Sequence, residues 1–132
     1  MEKNLRFMNV IRIALVASLV LYAAVAFTLA HPREISSTFF YAIAAVAVII
    51  LVTAFQLRER MVGGAEAVLR TSPDDAAAWV RWRKGHILFF CLCESVGLYG
   101  LVLRFTGATA AQAIPFFLVA IACMLLFGPQ RP

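Results

Sequence analysis

Charge is scarce in this chain. Only 14% of its 132 residues are Asp, Glu, Lys or Arg, against about 25% in ordinary soluble domains. A water-soluble domain of this length cannot cover its surface with so little charge, which excludes an ordinary soluble enzyme. Cysteine is nearly as sparse. Cys91, Cys93 and Cys123 all fall inside apolar runs, with no paired-cysteine motif and no histidine partner at metal spacing. That excludes a disulfide framework and gives no reason to expect a metal. The two histidines, His31 and His86, sit at the ends of different apolar runs. They belong on opposite membrane sides, which disfavours a two-histidine haem site. There is no phosphate-binding glycine loop and no nucleophile motif, so neither catalysis nor a cofactor is expected. Period-2 alternation is missing too, which argues against a membrane barrel.

What the chain does have is apolar length. Hydrophobic residues make up 63% of it, in four long runs that also exclude disorder. The runs cover about residues 10–30, 39–57, 87–105 and 110–127. Each is near the ~20 residues needed to cross a ~30 Å hydrocarbon core. Helices satisfy their own backbone groups in lipid, so the expected fold is an all-α membrane protein with four transmembrane helices in one domain spanning residues 1–132. The first run follows Lys3, Arg6 and Arg12 and ends at Thr28-Leu29-Ala30, which also suits a signal peptide. Its apolar stretch exceeds the usual 7–15 residues, so a retained helix is expected.

The formal charge of +5 reads as membrane orientation, not nucleic-acid binding. Ten Lys and Arg residues fall at the two ends and in the loop 58–86, and only Arg33 and Arg104 fall on the other side. This places both termini and the loop in the cytoplasm of a bacterial-type inner membrane. Arg12 and Arg104 lie near helix ends and are expected to snorkel to headgroups. In the outer connections, Pro32 stops one helix and Gly107 another. Thr109 and Gln112 have capping-box spacing for the fourth helix, and Pro115 should kink its outer end.

The cytoplasmic loop has a pattern of its own. Gly63-Gly64 is expected to break the extension of the second helix. Ser72-Pro73-Asp74-Asp75 reads as an N-cap, a proline at the first position and two acids on the positive helix end. A short interfacial helix should then run from Pro73 to Lys84. Trp79 and Trp82 share one face and Arg81 and Lys84 another. With Arg83 these residues suit a helix lying on the inner leaflet. A plain interface anchor for the third span is the blander reading, and a partner-docking helix the sharper one.

Shifting the chain by 77 residues superposes Ser18, Leu21, Tyr22 and Val25 on Ser95, Leu98, Tyr99 and Val102. Phe39, Phe40 and Ala45 fall on Phe116, Phe117 and Ala122 at the same offset. Apolar composition alone often produces such matches. The single offset is nonetheless compatible with two duplicated hairpins of one orientation. Ala17 then stands where the second hairpin has Glu94.

Glu94 is the one acid inside an apolar run. It sits about eight residues from the inner end of its span, ~12 Å deep at 1.5 Å per residue. A charge there costs at least ~2.5 kcal/mol, so the group is expected to be neutral unless paired. A carboxyl so placed can exchange a proton or hold a cation, or it can act as hydrogen-bonding glue between helices. Ser18 is its polar partner by depth. Gly97 and Gly100, on the same helix, leave room for another backbone or a moving ion.

The run Glu94-Ser95-Val96-Gly97-Leu98-Tyr99-Gly100-Leu101-Val102 resembles rotor-ring proteolipid subunits of rotary ATPases, in which a helix acid precedes an aliphatic-Tyr-Gly-Leu stretch. The resemblance implies that Glu94 carries H⁺ or Na⁺. It also implies that the second helix, with Ala42, Ala44, Ala45 and Ala47, is its packing partner. It covers nine residues; the family's glycine-rich inner helix and short polar loop have no counterpart. Two functions therefore stand side by side: an ion-handling subunit using Glu94, and a structural or assembly subunit. Both expect the lipid bilayer and other membrane subunits as partners, and no nucleic acid.

Overall fold

The structure, a computed structural model, describes residues 2–29 and 37–127. His31, Pro32, Arg33 and Arg131 lie outside them. The chain is an all-α membrane protein, and its described residues form four helical rods. The first is α1 (Glu2–Leu29). The second joins α2 (Ser37–Leu57), a π-helical segment (Arg58–Gly63) and α3 (Gly64–Thr71). The third is α4 (Ala76–Thr106) and the fourth α5 (Ala110–Leu126). The first three rods are long and apolar enough to cross a membrane, while α5, with 17 residues, is apolar but shorter.

The second rod corrects an expectation. Gly63 and Gly64 do not break the helix; their φ angles of −60° and −63° are ordinary helical values. Two helical glycines cost ~1 kcal/mol each relative to alanine. Burial of Val62, Ala65 and Leu69 against α4 and α1 offsets that cost. The chain passes through this stretch as a π segment instead of a loop.

The third rod corrects another. There is no separate interfacial helix; its residues form the first part of α4, which runs unbroken through Trp79, Trp82 and Glu94. Nor does Ser72 cap it. Ser72 terminates α3, and Asp75 is the N-cap, its carboxylate accepting the Ala78 N–H at 3.1 Å. The Ser-Pro-Asp-Asp stretch is thus a tight turn between two rods, closed by the Asp75 N–H on the Ser72 carbonyl at 3.1 Å.

At the opposite end of α4, Gly107 adopts φ 118°, the left-handed conformation that favours glycine. The Ala108 N–H then reaches the Leu103 carbonyl at 2.9 Å, closing a Schellman turn. The reciprocal Thr109–Gln112 capping box starts α5 immediately afterwards. Arg104 does not snorkel outward. It is buried, gives an Nη1 hydrogen bond to the Ala108 carbonyl at 2.8 Å and lies 5.8 Å from the centre of the Phe27 ring.

Helix α4 is the hub. It packs against α1, the α2–α3 rod and α5, whereas α1 and α2 make no backbone approach to each other. Of the most apolar stretch, 44% is buried in α4 but 11% in α1 and in α2, so the outer helices leave broad apolar faces uncovered. Met8 packs with Trp82, Leu19 abuts Gly97, and Phe27 meets Arg104, so α1 and α4 run parallel. Phe40 with Phe116 and Phe55 with Phe127 make α2 and α5 parallel as well. These pairings fall near the 77-residue offset of the sequence repeat. The two hairpins nevertheless pack differently, because the α4–α5 pair is tight and α1 and α2 stand apart.

The glycines divide by neighbourhood. A Cβ on Gly100 would lie 2.9 Å from Phe116 Cβ, whereas one on Gly63 would meet nothing within 4 Å. Gly100→Val is therefore expected to cost about 1–3 kcal/mol through overpacking. Gly63→Ala should gain about 0.4–1 kcal/mol. Reversible unfolding in mixed detergent micelles measures both, and destabilisation by Gly63→Ala would show that the π segment needs glycine.

Candidate functional site

Glu94 lies 18 residues from the start of α4 and 12 from its end, ~27 and ~18 Å along the axis. Its helix sets its surroundings. Cys91, Leu98 and Val102 form the exposed stripe of α4, while Phe90 and Gly97 turn inward. Glu94 falls on the flank between these two faces and is half-buried. The carboxyl therefore borders the outside of the bundle. Among the described residues no side chain pairs with it. Ser18 comes to a similar level on the parallel α1, but its hydroxyl donates to the Ala14 carbonyl of its own helix at 3.1 Å. Ser95 does the same to Cys91 at 3.0 Å. In neither case is a hydroxyl directed at the carboxylate.

Gly97 and Gly100 are both buried. Gly97 receives Leu19 of α1, with Ala120 of α5 behind it. Gly100 receives Phe116 and Phe117 and faces the Ala113 carbonyl. The two glycines bring neighbouring helices against α4 and leave no channel at this seam. Glu94 thus stands beside a closed, glycine-lined contact.

The tryptophan face differs from expectation. Trp82 is fully buried in a cluster with Met8, Val62, Ala65, Leu69 and Ala78, so it does not lie at a leaflet surface. Trp79 is half-buried, edge-on to Trp82 at 5.4 Å, and donates its indole N–H to the Pro73 carbonyl at 2.9 Å. The shared face was read correctly, but α1 and α3 cover it. Arg81 is exposed and donates to the Arg60 carbonyl at 3.2 Å, pinning α4 to the π segment. Lys84 is exposed and Arg83 half-buried; with Phe7, Val80 and Ile87 they line a shallow groove of about 210 Å³ between α1 and α4.

A second polar locus was missed from sequence. His86 is completely buried, edge-on to Trp82 at 4.5 Å and 5.9 Å from Phe90. Neither ring nitrogen has a hydrogen-bond partner among the described residues, and the Trp82 indole nitrogen has none either. The position, at the edge of an apolar run, suggested a boundary residue. The signal available was spacing: His86 follows Trp82 by four residues and precedes Phe90 by four, which places it on the inward aromatic stripe of one helix.

No family model matches this chain, and comparison with curated proteins and with solved structures returned no match. Among the described residues there is no cluster of three or more metal-type ligands.

The two tryptophans should separate in their energetics. Trp82→Ala should cost about 3–5 kcal/mol, as removal of a buried aromatic does. Trp79→Ala should cost clearly less, because that ring keeps part of its surface open. Chemical denaturation of the single variants, followed by far-UV circular dichroism, measures the difference. Equal, small costs would place Trp82 outside the packed cluster.

Proposed function

We propose that this chain is a small, non-catalytic integral membrane subunit of a larger membrane assembly, in which Glu94 is an intramembrane proton or cation site. The observation that carries the reading is the carboxyl halfway along α4, on an outward flank, with no partner among the described residues. A carboxyl acting as glue inside this bundle would face another helix of the bundle and find a donor there. One placed on the flank meets its donor, cation or water only when something else comes alongside. The uncovered apolar faces of α1 and α2 support an assembly, since lipid and neighbouring helices both suit them. The likeness of residues 94–102 to rotor-ring proteolipids points the same way.

The proposed setting is a bacterial-type inner (plasma) membrane, with both termini and residues 58–86 on the cytoplasmic side. The distribution of Lys and Arg supports it. A reporter fused at Gly64 should then be active as a cytoplasmic probe, and periplasmic activity at that position would reverse the orientation.

A second reading, a purely structural or assembly subunit, is favoured by the closed glycine seam beside Glu94. In it the carboxyl hydrogen-bonds a neighbouring chain. Glu94→Gln separates the two, because the amide keeps the shape and a donor but cannot release a proton. The ion-site reading expects unchanged assembly and melting temperature, with proton- or sodium-coupled flux lost in reconstituted vesicles. A carbodiimide should also label Glu94 in the native protein. Unchanged coupled flux in the Gln variant would eliminate the ion-site role. The structural reading expects full function in Gln and a loss of about 0.6–2 kcal/mol of association in Glu94→Leu.

A further inference from the structure

The end of the bundle that carries α3 gathers cationic groups and buried donor atoms, while its acids Glu59, Glu66, Asp74 and Asp75 are exposed or half-buried. Arg58 follows Ala54 by one turn on the buried face of its rod, and its guanidinium lies 5.8 Å from the Phe89 ring centre and 5.4 Å from that of Phe127. It is also within electrostatic reach of His86. Arg12 belongs to the inward stripe of α1, with buried Met8 one turn before it and buried Leu19 two turns after. Met8 packs with Trp82 and Leu19 abuts Gly97, so Arg12 comes level with the His86–Phe89 turn of α4. Three elements thus carry Arg12, Arg58 and His86 at the level where α5 stops, with Arg58 beside Phe127.

The hydrogen-bond account of this region does not close. The Nε atoms of Arg12 and Arg58, the Trp82 indole nitrogen and both ring nitrogens of His86 are buried and without partners among the described residues. The Oδ1 atom of Asn9, on α1 just before Arg12, is in the same condition. Each such atom costs about 1–3 kcal/mol if it stays unpaired, and buried polar groups in native proteins are nearly always satisfied. At the opposite end Arg104 pairs its Nη1 with the Ala108 carbonyl but leaves its Nε without a partner among the described residues. The other unpartnered atoms gather at the α3 end, and there it is mostly acceptors that are missing. Both arginines are only half-buried, so solvent or a headgroup reaches them, whereas His86 is completely buried.

We propose that Arg12, Arg58 and His86 form a binding site for a phosphoryl oxyanion at this end of the bundle. The planar guanidinium fork matches two oxygens of a phosphate, and two forks from different helices with a ring N–H below surround a tetrahedral group. A phosphodiester has the required acceptors and a single negative charge. Its source is either a phospholipid headgroup or a free phosphate. The negative end of α5 offsets part of the positive potential but leaves the arginine Nε atoms unpaired. A bound oxyanion would also tie α1, the second rod and α4 together where α5 stops.

Thermal unfolding of the whole protein in a non-ionic detergent tests the site. It is titrated separately with short-chain phosphatidylglycerol, diacylglycerol of the same chains, and inorganic phosphate. Phosphatidylglycerol or phosphate should raise the melting temperature saturably, and diacylglycerol should not. Stabilisation by the lipid alone identifies a headgroup as the source, and stabilisation by phosphate as well identifies a free anion site. Arg12→Gln and Arg58→Gln should each weaken the apparent affinity at least tenfold, whereas Arg81→Gln, on the exposed face, stays within twofold of the parent. His86→Phe should melt higher without ligand, having lost two unpaired nitrogens, yet bind at least fivefold more weakly. If the Gln variants do not fold, Arg12→Lys and Arg58→Lys keep the charge but lose the fork and should bind three- to tenfold more weakly. The site is overturned if neither the lipid nor phosphate stabilises the protein. It is also overturned if the variants bind like the parent, or if Arg81→Gln weakens binding as much as they do.

Discussion

Every other rod rests on α4, and that contact depends on side chains small enough to let backbones come close. Gly85, Gly97 and Gly100 face the second rod, α1 and α5 respectively. In lipid the hydrophobic effect does little to hold one apolar helix against another. Close van der Waals contact and satisfied polar groups have to do it. The glycines provide the first. The cost they would impose in an isolated helix, ~1 kcal/mol each, is outweighed by packing that a larger side chain would block. The Schellman turn and capping box between α4 and α5 then hold this pair in tight antiparallel register, while α1 and α2 lack an equivalent seam and stand apart.

Hydropathy made the rods legible. The runs expected at 10–30, 39–57, 87–105 and 110–127 are helical over residues 10–29, 39–57, 87–105 and 110–126, and the Gly107 stop and the Thr109–Gln112 box form as their spacing implied. Hydropathy could not show where the helices ended at the α3 end. Once charges appear, the apolar signal falls, although a helix continues wherever a stripe of its residues finds a partner. Val62, Ala65 and Leu69 find α4 and α1, so the second rod passes through two glycines. Trp82 finds α1 and α3, so α4 begins at Ala76. The spacing of Trp79 and Trp82 located their common face, but one sequence does not say whether lipid or protein covers a face.

The site residues divide along the same line. Glu94 stood out because an acid in an apolar run is rare at any depth, and that rarity needs no tertiary information. Ser18 was matched to it by depth alone. Depth is one coordinate of three, and the serine's own helix supplies a nearer acceptor in the Ala14 carbonyl. His86, Arg12 and Arg58 were inconspicuous for the opposite reason. Basic and aromatic residues are ordinary at the ends of membrane helices, so composition does not separate a headgroup anchor from an inward-facing group. Their significance comes from convergence, which exists only once three rods are placed side by side.

The two polar loci pose different electrostatic problems and so look to different environments. At Glu94 the acid is the sole carboxyl at its level among the described residues. Its neutral form is the inexpensive one in hydrocarbon, and the flank leaves it open to whatever lies beside the bundle. At the α3 end the guanidiniums of Arg12 and Arg58 stay charged under any ordinary condition, so a change of protonation does not satisfy them, whereas the proposed oxyanion would. The first locus can therefore cycle between charge states, whereas the second can only be filled or empty. A bundle whose α1 and α2 share no seam gains most from a ligand that bridges them at one end. A filled α3-end site would hold α1 against α4 at Met8 and Arg12, two turns before Leu19 meets Gly97, and so steady the flank on which Glu94 sits.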